Sequence, residues 1–116
     1  MNIAIKRAYD EAAASDGYRA LVDRLWPRGV KKEALQANEW CKEIAPSTEL
    51  REWFAHDPAK FSEFKKRYIA ELSENNLANE LLKRAKDSGT LTLVYSAKDT
   101  EHNQAVVLAD YLKTLK

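Results

Sequence analysis

The alternation of short strands with amphipathic helices is the feature that most constrains the fold of this chain. Ile3–Arg7, Tyr18–Asp23 and Leu91–Tyr95 are predicted strands, and the last of them is rich in β-branched and apolar residues. Helical patterns follow the second and the last of these strands, and such an alternation favours a parallel sheet. We therefore expect a single α/β domain over residues 1–116, in which a small, mostly parallel β-sheet of about 3–4 strands is covered by about 4–5 helices.

Apolar spacing and capping residues locate five helical segments. The first is predicted from Ala37, Trp40, Cys41 and Ile44, which fall at i, i+3, i+4 and i+7. The later segments have start signals, which are Ser47, Asp57 with Pro58, Asn76, and Thr100 or Glu101. Gly89 suits the position after the fourth helix. The link between the first two strands is too short for an ordinary helical crossover, so the pattern leaves room for one antiparallel pair.

Charge and hydropathy exclude several classes of protein. Lys and Arg number 19 against 18 for Asp and Glu, so the chain lacks the basic excess of a non-specific nucleic-acid binder. No apolar run approaches the roughly 18–20 residues of a membrane span, so no membrane partner is expected. The first six residues are too short and too mixed an apolar run for a signal peptide, so none is expected, and Cys41, the single cysteine, allows no internal disulfide. These features favour a reducing cytoplasm.

Polar side chains follow two of the predicted strands. Ligands of open α/β sheets bind beyond the carboxyl ends of the strands. Arg24, Trp26 and Arg28 follow the second strand, and the last strand is followed by Ser96, Lys98, Asp99, His102 and Asn103. If the two strands are neighbours, the arginines and the N-terminus of the last helix can meet around a phosphate or carboxylate. The alternative is structural, because an arginine can pair with a nearby carboxylate and Pro27 and Gly29 suit a plain turn.

His102 and Asp99 are the candidate catalytic pair. A helix N-terminus disfavours a charged histidine, so we expect a neutral imidazole that could act as a general base beside Asp99 or Glu101. The alternative is that Asp99 or Thr100 only caps the last helix and that His102 closes the loop through a local hydrogen bond.

His56 and His102 are weak candidates for metal ligands. Their spacing is long and no H-x-x-x-H or C-x-x-C motif is present, so the sequence favours a structural role for His56 in a junction between two helices. Cys41 shares the apolar face of Trp40 and Ile44, which favours a buried, unreactive thiol over a nucleophile. Phosphate-loop, dinucleotide-binding and nucleophile-elbow motifs are absent, and the sequence does not specify a cofactor.

Three motifs, in order, resemble the signature of the YeaO-like family, a domain-of-unknown-function family of small bacterial proteins. They are Gly17–Arg19 with Val22–Gly29, Ala45–Arg51 with Trp53–Pro58, and Tyr95–Asp99 with Glu101–Asn103 and Ala105–Leu108. The resemblance covers nearly the whole chain and implies an α/β fold and a bacterial cytoplasmic protein, but it specifies no activity. In the wider family it implies a Cys–His pair near the third motif. Glu101–Asn103 holds no cysteine, so that thiol chemistry is not implied for this chain.

The motifs of the resemblance coincide with the two strand ends, which adds weight to Arg24, Arg28, Asp99 and His102 as one shared site. The first hypothesis is therefore a protein that binds a small anionic ligand there, with His/Asp acid–base chemistry if it is an enzyme. The second is a non-catalytic regulatory module that binds a protein or a nucleic acid. The third is a metal-binding protein that uses His56 and His102.

Overall fold

The computed structural model describes residues 1–115 and contains one four-stranded sheet. Its strands are β1 (Asn2–Arg7), β2 (Tyr18–Leu21), β3 (Glu39–Trp40) and β4 (Thr90–Tyr95). All three strand pairs are parallel, and the order across the sheet is β1-β4-β2-β3. The predicted α/β class is confirmed. The room left for an antiparallel pair is not used, because β4 lies between β1 and β2 and the link 8–17 passes over it.

Helices cover the two faces of the sheet unequally. They are α1 (Lys32–Leu35), α2 (Thr48–Phe54), α3 (Phe61–Ser73), α4 (Leu77–Ala85) and α5 (Gln104–Leu115). Helices α2 to α5 bury the larger apolar cluster against alternate strand residues such as Ala20, Leu91 and Leu93. The opposite face carries a smaller cluster of Ala8, Leu21, Leu35 and Val94 under α1 and loops. This alternation of strand side chains between two covered faces is expected for a parallel sheet.

Several predicted boundaries are confirmed. The Ser47 hydroxyl accepts a hydrogen bond from the Leu50 N–H at the start of α2. Asp57 caps a short 3-10 turn that begins at Pro58 and leads into α3. Gly89, with a φ of 74°, follows the 3-10 turn that extends α4. Glycine tolerates this left-handed conformation without a Cβ penalty, so α4 can end and β4 can begin one residue later.

The helix predicted from residues 37–44 is wrong. Ala37 and Trp40 pack in the smaller cluster, whereas Cys41 and Ile44 pack in the larger one on the other face of the sheet. The apolar residues of this segment therefore pack on the two faces of the sheet, at its edge, and do not form one face of a helix. Trp40 is fixed there by its indole N–H, which donates to the Asp23 carbonyl 2.8 Å away, and it belongs to the two-residue strand β3.

The last helix begins later than predicted. Thr100 and Glu101 lie in the loop, and α5 starts at Gln104. Asn103 is its cap, since its side-chain oxygen accepts from the Val106 N–H at 3.0 Å. Asp99 instead accepts from the N–H groups of Glu101 and His102, which folds the loop before the helix. His102 therefore precedes α5 and does not lie in its first turn.

A closed polar network crosses the less covered face. Asp16 accepts from the Arg19 guanidinium at 2.6 Å, from the Lys6 ammonium at 3.2 Å and from the Ala13 N–H. Arg19 also donates through Nε and Nη2 to the Leu35 carbonyl at 3.0 and 2.7 Å. We call Lys6, Asp16 and Arg19 the closed network. It anchors the link between β1 and β2 across β4, so this short crossover does not need a long helix.

Candidate functional site

The carboxyl ends of β2 and β4 open into one cleft of about 840 Å³. We call it the strand-end cleft. It is lined by Tyr9, residues 23–28, parts of the segment 45–56, Phe64, residues 96–99 and Gln104. The two polar segments selected from the sequence do meet here, because β2 and β4 are parallel neighbours.

Two arginines of the cleft have donors that the protein leaves unpartnered. Within residues 1–115, the Nε atoms of Arg24 and Arg51 are the buried side-chain polar atoms without a hydrogen-bond partner. Their remaining contacts are weak. Arg24 Nη1 lies 4.0 Å from the exposed Glu43 carboxylate, and Arg51 Nη2 donates to the Thr48 hydroxyl at 3.1 Å. Buried donors are normally paired, so an unpaired guanidinium donor on each of two cleft-lining arginines makes this cleft a candidate site for an acceptor.

Arg51 was missed by the strand-end argument because it lies on α2 and not after a strand. It is the fourth residue of the helix that Ser47 caps, and it is half-buried beside Leu50. An arginine next to the apolar positions of a short helix was the available signal, since a charged side chain there has to find a partner or a cavity.

The floor of the cleft contains a buried carboxylate. Asp23 is 8% exposed and accepts from the Ser96 N–H and hydroxyl at 2.8 and 2.6 Å and from the Gln104 amide. Burial raises the pKa of Asp23, although the hydrogen bonds from Ser96 and Gln104 act in the opposite direction. Asp23 therefore ties the end of β2 to the end of β4 and to the start of α5. Ser96, a predicted ligand-binding residue, lines the cleft, but its hydroxyl already donates to the Asp23 carboxylate.

The loop after β4 presents Lys98 and Asp99 to the cleft. Arg7 fixes the start of this loop, because its Nε and Nη2 donate to the carbonyls of Ala97 and Ser96 at 2.9 and 3.2 Å. Asp99 lines the cleft, and its carboxylate lies 3.0 Å from Nδ1 of His102. The N–H groups of Glu101 and His102 lower the pKa of Asp99. The His102 ring packs edge-on against Phe61, so it lies behind Asp99 and not on the cleft wall.

The other predicted ligand-binding residues have different positions. Arg28 is exposed at the cleft rim, and its carbonyl accepts from the Tyr9 hydroxyl at 3.1 Å. Trp26 lines the cleft, but its indole N–H donates to the Val30 carbonyl and its ring meets Trp40 edge-on at 5.4 Å. Asn103 is buried, and its amide bonds the Asp99 carbonyl and caps α5. Trp26 therefore supports a cleft wall, and Asn103 shapes the loop.

His56 also lines the cleft, at the predicted junction between two helices. Ala55 and His56 have φ angles of 47° and 57°, a left-handed bend that costs non-glycine residues on the order of 1 kcal/mol each. The bend ends α2 and turns the chain toward Asp57. Within residues 1–115, no three His, Cys, Asp or Glu side chains are grouped to hold a metal ion. The geometry thus gives the two-histidine metal hypothesis no support.

Cys41 lies outside the strand-end cleft, against a smaller groove beside β3. Burial and the adjacent Glu39 carboxylate raise the pKa of the Cys41 thiol to about 12. A thiol with this pKa is almost fully protonated near neutral pH and is a poor nucleophile. This placement agrees with the predicted role of Cys41 as an apolar packing residue.

Comparison with known proteins identifies the family. Residues 2–115 match the family described as "Inactive DUF488-N3 subclade". The chain is 51% identical over 115 residues to a protein of Escherichia coli named uncharacterized protein YeaO, covering 99% of this chain and all of that protein. A protein of Mycobacterium tuberculosis named uncharacterized protein Rv3073c is 40% identical over 110 residues, which is 95% of this chain and 92% of that one. No solved structure matches. Within residues 1–115 no helix is long and apolar enough to cross a membrane. The resemblance drawn from three motifs is confirmed, and the chain belongs to the DUF488-N3 subclade described as inactive.

Proposed function

We propose that this protein binds a small anionic molecule in the strand-end cleft, through Arg24 and Arg51 with Arg28 and Lys98 at the rim. The observation that carries the proposal is the pair of buried Nε donors without protein partners. A buried polar group that lacks a hydrogen bond costs about 1–3 kcal/mol. A phosphate or carboxylate that accepts from both guanidinium groups would remove this cost and add charge-assisted hydrogen bonds.

The charges that line the cleft support an anion over a cation. Its cationic side chains are three arginines and Lys98, and its acidic ones are Asp23, Glu52 and Asp99. Two of the three carboxylates are already engaged, since Asp23 accepts from Ser96 and Gln104 and Asp99 pairs with His102. The free hydrogen-bonding capacity of the cleft therefore lies mostly in guanidinium and ammonium donors.

We favour binding without covalent chemistry, in a cytoplasmic protein. The family description as inactive supports binding without covalent chemistry, and so does the position of the single thiol outside the cleft.

The burial of the Cys41 thiol has a consequence that can be measured. Folded protein at pH 7.5 should react with iodoacetamide far more slowly than urea-unfolded protein, because only the unfolded thiol returns to an ordinary pKa. Equal labelling rates in both states would contradict the buried, protonated thiol.

The Asp99–His102 pair favours a second candidate, acid–base chemistry on the bound anion. The pair is hydrogen-bonded at 3.0 Å, and Asp99 faces the cleft. Binding alone predicts that His102→Gln leaves anion affinity unchanged and that NMR detects no conversion of the bound anion. Conversion that stops in His102→Gln would establish the catalytic candidate instead.

Thermal unfolding in the presence of anions tests the proposed function. The panel holds phosphate, sulfate, phosphorylated metabolites, nucleotides and carboxylates. An anion present at a hundred times its Kd adds about 2.7 kcal/mol, which raises the Tm of a domain of this size by several degrees. Arg24→Gln and Arg51→Gln should each abolish the shift.

Arg67→Gln is the matched control, because Arg67 pairs with Glu63 on the exposed side of α3, away from the cleft. It should keep the full shift. A panel in which no anion raises the Tm would contradict the proposal and favour the module that binds a macromolecular partner. A shift lost equally in Arg67→Gln would reduce the effect to general surface charge.

A further inference from the structure

The mouth of the strand-end cleft exposes apolar side chains. Leu25 is 72% exposed and Tyr9 is 49% exposed, and both line the cleft. Within residues 1–115, Met1 is the other large hydrophobic residue with an exposed side chain. One exposed leucine would need no explanation, but two such residues at one cleft next to arginines form a mixed apolar and cationic surface.

The inner wall of the cleft is apolar as well. Phe54 and Phe64 line it and stack at 4.2 Å between ring centroids, and Pro46 and Trp26 complete this wall. A volume of about 840 Å³ lies in the range of pockets that bind drug-sized ligands and exceeds what a bare inorganic ion fills. The arginine donors can therefore occupy only one part of the ligand.

We propose that the ligand is an organic anion whose charged group is attached to an apolar body at least one aromatic ring in size. This inference rests on the proposed function and specifies its ligand class. The charged group would accept from Arg24 and Arg51, and the apolar body would cover Leu25 and Tyr9 at the mouth. The side chain of Leu25 has no hydrogen-bonding groups, so its exposed surface can contribute to binding only by burial against apolar surface.

The test uses matched anions that differ only in the apolar body. The pairs are methyl phosphate with phenyl phosphate and acetate with benzoate, and the Kd of each is measured by isothermal titration calorimetry. Burial of one ring predicts that the aryl member binds at least about tenfold more tightly than its methyl partner. Leu25→Ala should reduce this ratio severalfold while leaving the Kd of the methyl anion unchanged.

Leu82→Ala is the control variant. Leu82 is a partly buried leucine of α4 outside the strand-end cleft, and its truncation should leave the ratio unchanged. Circular dichroism confirms that each variant is folded. Equal affinities of the aryl and methyl anions, or a ratio that Leu25→Ala does not alter, would overturn the inference while leaving anion binding intact. If none of the four anions binds, the proposed function fails and this inference fails with it.

Discussion

Two arginine sites in this protein differ in how completely the chain itself satisfies them. Arg19 is buried in the closed network and donates to Asp16 and the Leu35 carbonyl. Arg24 and Arg51 line the strand-end cleft, and no protein group accepts a hydrogen bond from their buried Nε atoms. The first site is a finished structural element. The second leaves donor capacity unused, which is what the proposed binding site requires and a structural ion pair does not.

The largest expected effect comes from breaking the closed network. Arg19→Met should lower the free energy of unfolding by about 3 kcal/mol or more, because it removes the main partner of a buried carboxylate and leaves the Leu35 carbonyl without its donors. Urea denaturation of wild type and variant measures the difference. A loss below about 1 kcal/mol would mean that Lys6 and the Ala13 N–H suffice for Asp16, and the network would not be closed around Arg19.

The same substitution at the cleft should not destabilise the protein. Arg51→Met removes an unpaired buried donor, so we expect the free energy of unfolding to stay constant or rise by up to about 1 kcal/mol in anion-free buffer. Urea denaturation measures the free energy of unfolding of the variant without anion. A second series, with an anion that raises the Tm of the wild type, measures whether the variant still responds to it. A loss comparable to that of Arg19→Met would make Arg51 structural and remove the contrast between the sites.

The carboxylates of the two sites should give opposite pH dependences. The Ala13 N–H, Lys6 and Arg19 outweigh burial and hold the pKa of Asp16 below its usual value, so its contribution is present above pH about 4 and is lost as the pH falls. Burial raises the pKa of Asp23, so its contribution to stability falls as the pH rises above about 4.

Unfolding measured from pH 3 to 7 against Asp16→Asn and Asp23→Asn isolates each carboxylate. As the pH rises, the free energy of unfolding of the wild type should increase relative to that of Asp16→Asn. Over the same range it should decrease relative to that of Asp23→Asn. Parallel slopes for the two variants would show that the two carboxylates lie in equivalent environments.

The smallest effect sets the baseline for any surface arginine. Arg67→Gln breaks an exposed ion pair with Glu63 at 3.0 Å and a contact with the Trp53 ring, and it should cost about 0.5 kcal/mol or less. Thermal and urea unfolding measure it. A larger cost would mean that surface arginines, too, carry substantial stability, which would weaken the use of Arg19 as a distinct structural case.

The comparison also explains which parts of the site the sequence predicts. Arg24, Lys98 and Asp99 line one cleft, as the sequence predicts, because the parallel neighbours β2 and β4 bring their carboxyl ends together. Arg51 was missed because its position depends on how α2 packs over that edge, which is a tertiary contact. The sequence predicts Asn103 as a ligand-binding residue because its side chain is polar. Its observed role as the cap of α5 follows from a helix start three or four residues later than predicted.

The fold was predicted best where one local signal agreed with the packing. Leu91–Leu93 alternates between faces within a strand that is buried on both sides, and Ser47 caps the helix it was expected to cap. The helix predicted over residues 37–44 is wrong because helical spacing can also arise when a short edge strand and the turn after it place apolar residues on two faces of a sheet. Periodicity does not distinguish these cases, and only the Trp40 contact with the end of β2 decides.

NMR of the arginine Nε–Hε groups tests the central claim most directly, because it observes the donors themselves. Phenyl phosphate and benzoate are titrated into the labelled protein, with Arg19 as the internal reference. We expect the Nε–Hε signals of Arg24 and Arg51 to shift and saturate together with one Kd, while the signal of Arg19 stays in place. Signals of Arg24 and Arg51 that do not move with either anion, or that move no more than those of Arg67, would contradict an anion site in the strand-end cleft.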